Sequence, residues 1–425
     1  MTTTPRRVAI IGGIRLPFCR TGSHYARLGN VDLMTGALSA LVARYRLSGH
    51  RAGDVALGAV IKHTRDWNMA REAVLGSGLA PETPAYDLQR ACGTSLEAAL
   101  QIGHRIALGE IETGIAGGAD SISDAPVVHT DEFARIAKRS NAGKTLGQRL
   151  MPWLDLRPAH LKPQAPGVVE PRTGMSMGEH CEVMAKEWAI PRREQDALAL
   201  ASHQRAAAAW TEGFYKDLVC EFGGASRDEF VRADTNLDKL ASLRPAFDRT
   251  NGTLTAGNST PLTDGAAAVL LASEAWAADN HQTPQAYLAH GEVAAVDFVG
   301  KRDGLLMAPA FAVPRMLARA GLTLQDFDYY EIHEAFAAQV LCTLKAWESP
   351  EFCRERLGLD APLGTLDRAK LNVKGGSVAL GHPFGATGAR VLANAAKLLE
   401  LRGSGRVLVS VCTGGGMGVT AIIER

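Results

Sequence analysis

Tyr86-Asp-Leu-Gln-Arg-Ala-Cys-Gly-Thr-Ser-Leu-Glu-Ala-Ala-Leu (86–100) decides the reading of the fold. Tyr86-Asp-Leu predicts a short strand arriving at Cys92. Ser95 to Leu108 predicts a helix whose small residues (Ala98, Ala99, Gly103, Ala107) favour close packing, and Thr113-Gly-Ile-Ala-Gly-Gly-Ala (113–119) predicts a returning strand. Strand, cysteine at the turn, helix, strand places a thiol near a helix N-terminus, where the dipole favours its anion.

Working outward, Val8-Ala-Ile-Ile-Gly predicts a first strand, Val31 to Arg46 a helix with Leu33, Ala37, Leu41 and Val42 on one face, and 54–61 another strand. The C-terminal part repeats the pattern. Lys370-Leu-Asn-Val leads to Gly381-His382-Pro383 and a helix from about Thr387 to Leu401, then strand 406–411 delivers Cys412 and strand 419–424 closes the chain. The pattern is α/β with two similar halves, as an old duplication would leave. The expected division is a first half over 1–123 completed by about 253–277, a second half over 278–425, and an inserted lobe over 124–252. That lobe has few strand patterns, a cluster of prolines (Pro158, Pro163, Pro166, Pro171) and one strong helix, Glu194 to Trp210. Its portion 126–165 carries Arg135, Lys138, Arg139, Lys144, Arg149, Arg157 and Lys162 against Asp131, Glu132 and Asp155. It reads either as a solvated basic face or as a surface for phosphates, anionic lipid or an acidic partner.

Composition narrows the class. The 425 residues are enough for two or three lobes around a large core, and the apolar 46% and charged 21% are ordinary for a globular protein. A net charge of +1 argues against bulk attraction to nucleic acid. The opening Met-Thr-Thr-Thr-Pro-Arg-Arg runs straight into the first strand, without the apolar region of a signal peptide. No stretch approaches the roughly 20 apolar residues of a membrane span; the best run, 266–272, is strand-sized. Seven widely spaced cysteines without a Cys-x-x-Cys pair predict isolated thiols in a reducing, cytoplasmic setting, with no disulfide framework and no metal site. Cys19, Cys181, Cys220, Cys342 and Cys353 read as small buried hydrophobes.

The remaining two cysteines carry chemistry. Cys92 lies in Gln-Arg-Ala-Cys-Gly-Thr-Ser (89–95) and Cys412 in Val-Cys-Thr-Gly-Gly-Gly-Met-Gly (411–418), with His333 in His-Glu-Ala-Phe-Ala (333–337) and His382 in Gly-His-Pro-Phe-Gly-Ala-Thr-Gly (381–388) between them. One thiol and an imidazole suit acyl transfer; a second thiol suits moving a proton on carbon. Taken in this order over nearly the whole chain, the four motifs resemble the thiolases, supported by Arg15-x-Pro17-Phe18, Gly117-Gly-Ala-Asp-Ser121 and 255–268. His-Glu-Ala-Phe, Arg149-Leu-x-Pro-Trp-Leu-Asp-Leu-Arg-Pro (149–158), Met177-Gly-Glu and Ser202-His-Gln-Arg are similar to the β-subunits of trifunctional fatty-acid oxidation complexes, whereas Cys412-Thr-Gly-Gly-Gly is closer to stand-alone thiolases.

The resemblance implies a five-layered α-β-α-β-α core with the inserted helical, loop-rich lobe. It implies cleavage of a 3-ketoacyl-CoA by CoA to acetyl-CoA and a shortened acyl-CoA. CoA is then a co-substrate, with no cofactor held permanently. Cys92 is the implied nucleophile, His382 its base, and Cys412 the acid/base for the acetyl-CoA carbon. The backbone N–H groups of Cys92 and Gly414 form one implied oxyanion hole, and His333, with His382, contributes to the thioester oxyanion hole either directly or through water. Glu334 is the neighbour expected to fix the His333 tautomer. Thr260 falls near the expected pantetheine and Met177 at the expected pocket. Partners implied are a second copy of the chain as homodimer or dimer of dimers, and a hydratase/dehydrogenase α-subunit; 126–165 is the candidate for peripheral membrane contact. Alternatives within reach of the same residues are a biosynthetic acetoacetyl-CoA thiolase, a decarboxylating ketoacyl synthase using Cys92, His333 and His382, and a non-catalytic interaction subunit.

Overall fold

The computed structural model describes residues 5–425; residues 1–4 of the expected first half lie outside the described residues. In the first half, strands β1 (Val8–Arg15), β2 (Cys19–Arg20), β3 (Asp54–Leu57), β4 (Ala85–Asp87) and β5 (Thr113–Asp120) alternate with helices α1 (Asn30–Arg44), α2 (Met69–Ser77) and α3 (Thr94–Ala107). Helices α4 (Asp131–Ala142), α5 (Leu146–Leu150), α6 (Met177–Glu187), α7 (Arg192–Thr211) and α8 (Leu237–Ala241) occupy the lobe between β5 and β6 (Thr263–Ser273). After α9 (Glu274–Asp279) come β7 (Ala286–Ala295), α10 (Ala308–Ala320), β8 (Tyr329–Ile332), α11 (Ala337–Glu348), α12 (Pro350–Leu357), α13 (Ser377–Leu380), α14 (Thr387–Arg402), β9 (Arg406–Thr413) and β10 (Met417–Glu424).

The strands run in the order β4-β3-β5-β6-β1-β7-β10-β9-β8, with β2 on β6. The two halves meet where Val8–Ile10 pairs with Ala286–Leu288. Helices α1 and α2 cover one face of the first half's sheet, α3 and α14 pack together between the halves, and α10 covers the outer face of the second. The residues dictate this burial. Strands β1, β5 and β6 have every residue buried and read as continuous apolar or small runs, as strands covered on both faces do. In β9, Val407, Val409 and Val411 join the central cluster around Leu96, Leu392 and Leu399, while Leu408 points to the outer cluster with Val340 and Trp347. That alternation puts Cys412 on the outer face, among Met184, Ala335 and Leu341.

Two sequence expectations are corrected here. The strand expected over 54–61 stops at Leu57, because the buried Asp120 carboxylate accepts the N–H groups of Val60 (3.0 Å) and Ile61 (2.8 Å) and holds them out of the sheet. The lobe has five helices among the described residues where one was read. All four of the others have local caps: Thr130 accepts from Phe133 N–H ahead of α4, Thr145 from Gln148 N–H ahead of α5, Asn236 from Lys239 N–H ahead of α8, and Ser176 and Glu179 form a reciprocal capping box ahead of α6. Helix α4 buries only Ile136, so its apolar pattern is thin. The lobe is tied to the core by a buried fork: Arg15 donates to both carboxylate oxygens of Asp228 at 2.6 and 2.7 Å.

Candidate active site

Cys92 follows β4 on a strained turn. Ala91 has φ +43°, a left-handed conformation that costs a non-glycine residue on the order of 1 kcal/mol or more. The Thr94 hydroxyl holds it, donating to Ala91 O (2.6 Å) and accepting from Arg90 N–H (2.9 Å). The half-buried Cys92 therefore projects beside the start of α3. His333 follows β8, its N–H donating to Ser410 O of β9 at 2.8 Å. His382 sits after Gly381, whose φ of +101° and close approach to Thr263 leave no room for a side chain. Cys412 is the last residue but one of β9, opposite Gly418 of β10.

These turns converge. The Cys92 sulfur and one ring nitrogen of each of His333 and His382 lie within 4.8 Å of one another, and this is the one three-residue donor group of that kind among the described residues. The imidazole rings are 4.2 Å apart between centroids. Each Nδ1 is engaged, His333 with Ser377 Oγ at 2.8 Å and His382 with Thr387 Oγ1 at 2.5 Å. Each Nε2 is buried without a hydrogen-bond partner. Two unpartnered ring nitrogens beside a thiol are costly in a folded protein, as expected of groups kept for a substrate.

Electrostatics set the resting state. Burial pushes the Cys92 thiol up to about 12; the N–H groups of Gly414 and of Cys92 itself oppose this, and Asp120 and Glu170 add to it. Burial, helped by Arg390, pushes His382 down to about 3. Burial, then His382 and Arg390, hold His333 well below its ordinary value. Burial, with Cys92 next to it, holds Cys412 well above the ordinary thiol range, opposed by the Ala335 backbone. The thiolate expected from the helix terminus is thus outweighed at rest, and Cys92 and His382 face each other as neutral thiol and neutral imidazole. The Gly414 and Cys92 N–H groups, both against the sulfur, remain where an anion would be met.

The expectation for His333 is also corrected. Glu334 does not hold its ring: the Glu334 carboxylate is taken by Asn372 Nδ2 (2.6 Å), Ser202 Oγ (2.7 Å) and Val378 N–H (3.2 Å), and Ser377 takes the imidazole.

Met177 and Cys92 line one cavity of about 500 Å³, with Val60, Ile61, Val168, Val169 and Phe384 among its apolar walls. Thr260 lines another, of about 310 Å³, with Phe247, Val378 and Arg232. Its hydroxyl donates to Ala335 O at 3.1 Å, two residues beyond His333. Five contributors were not read from the sequence, Thr387 behind His382 among them. Glu170, from the lobe, accepts Gly415 N–H at 2.6 Å and fixes the glycine turn after Cys412, where Gly415 has φ +74°. Asp120 accepts Gly385 N–H at 2.6 Å and braces the His382 turn, with burial raising its carboxyl to about 7. Ser377 and Arg390 stand behind His333. Asp120 lies in the Gly-Gly-Ala-Asp-Ser stretch and Thr387 in the Gly-His-Pro motif, which gave a signal; Glu170 had none.

Comparison with known proteins agrees with this geometry. Family models described as "Thiolase, N-terminal domain" and "Thiolase, C-terminal domain" match residues 8–275 and 282–425. The chain is 43% identical over 424 residues to a 3-ketoacyl-CoA thiolase of Pectobacterium atrosepticum, covering 98% of this chain and 96% of that one. It is 42% identical to a 3-ketoacyl-CoA thiolase of Yersinia enterocolitica, covering 98% and 97%. The crystal structure of the Bacillus anthracis acetyl-CoA acetyltransferase matches at 31% identity and a TM-score of 0.82, over 100% of both chains. With both halves matched over nearly the whole chain, the chain belongs to the thiolase family of acyltransferases.

Proposed function

We propose that this protein cleaves 3-ketoacyl-CoA with CoA, as its curated relatives' names indicate for them, through an acyl thioester on Cys92. The observation that carries the reading is the Cys92 thiol within 4.8 Å of a ring nitrogen of each of two buried imidazoles, each with an unpartnered Nε2, beside an apolar cavity. The Cys92 sulfur attacks the 3-keto carbon as its proton passes to His382 Nε2. The C2–C3 bond then breaks, and its electron pair goes to the acetyl-CoA enolate. The Cys412 thiol supplies the proton that turns the enolate into acetyl-CoA. A thiol held well above its ordinary range is a suitable donor to a basic carbon. Cys412 is left as thiolate and recovers a proton as the incoming CoA thiol is deprotonated. That CoA sulfur attacks the Cys92 thioester and releases the shortened acyl-CoA, and the expelled Cys92 thiolate takes its proton back from His382. Gly414 and Cys92 N–H groups meet the developing oxyanion of one step; His333 and His382 meet the thioester oxygen in the other.

The Thr260 cavity suits the pantetheine arm, and exposed Arg232 at its wall is a cation available to a CoA phosphate. The Met177 cavity suits the acyl chain. The expected division at 1–123 with 253–277, 124–252 and 278–425 gives two catalytic halves and a lobe that frames the substrate. No helix among the described residues is long and apolar enough to cross a membrane. Peripheral contact through 126–165 fits its seven exposed cations and the exposed Leu146, Leu150, Met151 and Leu154. A homodimer, docking of a hydratase/dehydrogenase α-subunit and a cytoplasmic setting follow from the family. Following loss of the 3-ketoacyl-CoA enolate absorbance with CoA, over a ladder of chain lengths, tests the reading. Turnover with release of acetyl-CoA and no CO2 is expected; no turnover at any length overturns it.

A further inference from the structure

The two histidines have identical neighbourhoods at first sight, each with Nδ1 on a hydroxyl and Nε2 bare. The protons of those hydroxyls make them different. Thr387 Oγ1 has one hydrogen and two close partners, His382 Nδ1 at 2.5 Å and Pro383 O at 3.0 Å. A carbonyl only accepts, so two oxygens at 3.0 Å need a proton between them. Thr387 sits at the first position of α14, where a threonine hydroxyl readily bonds back to the carbonyl four residues earlier. With its hydrogen on Pro383 O, Thr387 accepts from His382 Nδ1–H. His382 then presents a bare lone pair at Nε2.

Ser377 Oγ is placed oppositely. Arg390 donates to it from Nη2 at 2.6 Å, and a guanidinium is a donor only. Among the described residues, the one other partner of Ser377 Oγ is His333 Nδ1 at 2.8 Å. If His333 donated there, the Ser377 hydrogen would be buried with no acceptor, a loss of about 1–3 kcal/mol. The arrangement that satisfies all three groups has Ser377 O–H donating to His333 Nδ1. His333 then carries its hydrogen on Nε2. Arg390 is held in place for this by burial among the central helices and by Glu331, 4.0 Å away.

We infer that Ser377 with Arg390, and Thr387, are positioning residues that lock the two histidines in opposite tautomers, His333 as an Nε2–H donor and His382 as an Nε2 base. The assignment deepens the thiolase reading and rests on it for its functional meaning: the donor meets the thioester oxygen, and the base takes the Cys92 proton. It also explains how two imidazoles 4.2 Å apart share a buried site, since one nitrogen carries a hydrogen and the other a lone pair. A wrong tautomer in a comparable nucleophile–histidine pair costs up to about 10⁴ in rate.

Nitrogen-15 spectra of histidine-labelled resting enzyme read the tautomers directly, with H333Q and H382Q used to assign the two rings among the twelve histidines. The expected result is a protonated Nε2 on His333 and a bare Nε2 on His382. The same tautomer on both rings, or the reverse pair, overturns the inference, whether or not the enzyme turns over 3-ketoacyl-CoA. An inactive enzyme with the expected tautomers instead overturns the thiolase reading alone. Among variants, S377A lowers kcat about 10²-fold with KM changed less than about threefold. T387V does the same and loses the bare-nitrogen signal of His382, while T387S restores both. Equal loss in T387V and T387S would also overturn the inference, because a purely steric role for Thr387 predicts it.

Discussion

The two catalytic halves and the inserted lobe are built on opposite terms. The halves bury nearly everything they place near the reaction: His333, His382 and Cys412 are each no more than 3% exposed. The lobe leaves large apolar side chains in the open, with Leu146 74% and Leu154 78% exposed, and reaches the site through Glu170 and Met177. The difference teaches where each property resides. Reactivity comes from core turns whose backbone is over-determined, whereas the lobe supplies one wall and one clamp and so can vary without altering the chemistry.

The sharpest way to break that division is in the core. Cys92→Ala should lower thiolysis by at least about 10⁴-fold with the fold intact by circular dichroism. A loss under tenfold would move the nucleophile elsewhere. Next in size is packing: Leu392→Ala, fully buried between the halves, should cost about 2–5 kcal/mol in denaturant unfolding.

The lobe's clamp should give a smaller and more specific response. Glu170 raises the Cys92 thiol, so Glu170→Gln should lower that pKa and speed iodoacetamide alkylation at pH 8, by less than about tenfold. Its kcat should fall only a few-fold, because an amide still accepts from Gly415. Slower alkylation would show that Glu170 acts otherwise.

The same electrostatics fix a pH dependence. With Cys92 held up to about 12, thiolate is scarce at neutrality, and alkylation of the free enzyme should rise about tenfold per pH unit from 7 to 9. With His382 held down to about 3, the base stays neutral and the acid limb of kcat/KM should lie well below pH 6. An alkylation plateau near pH 6–7 would mean a preformed thiolate–imidazolium pair. The smallest effect belongs to the lobe surface, where Leu154→Ser should change stability by less than about 0.5 kcal/mol and leave kcat unaltered.

Much of the core could be read in the chain because local pattern and burial agree there. Strands such as β6 are continuous apolar runs, and Cys92, His333, His382 and Cys412 each sit in a compact turn motif. What escaped reading depends on contacts far apart in sequence. Ala59-Val60-Ile61 looks like strand but is bent aside by Asp120, some sixty residues on. His333 is held by Ser377, 44 residues away, while the adjacent Glu334 points elsewhere. In the lobe, α4 sets Phe133 and Ile136 among mostly charged and small residues and buries only Ile136, and Glu170 meets Gly415 across 245 residues.

Mass spectrometry of the enzyme after brief exposure to acetoacetyl-CoA without CoA tests the central claim most directly. The account predicts an acetyl group on the peptide containing Cys92, removed on adding CoA with formation of acetyl-CoA. An acetyl group on Cys412 or another cysteine, or a Cys92 adduct that CoA does not discharge, would contradict it.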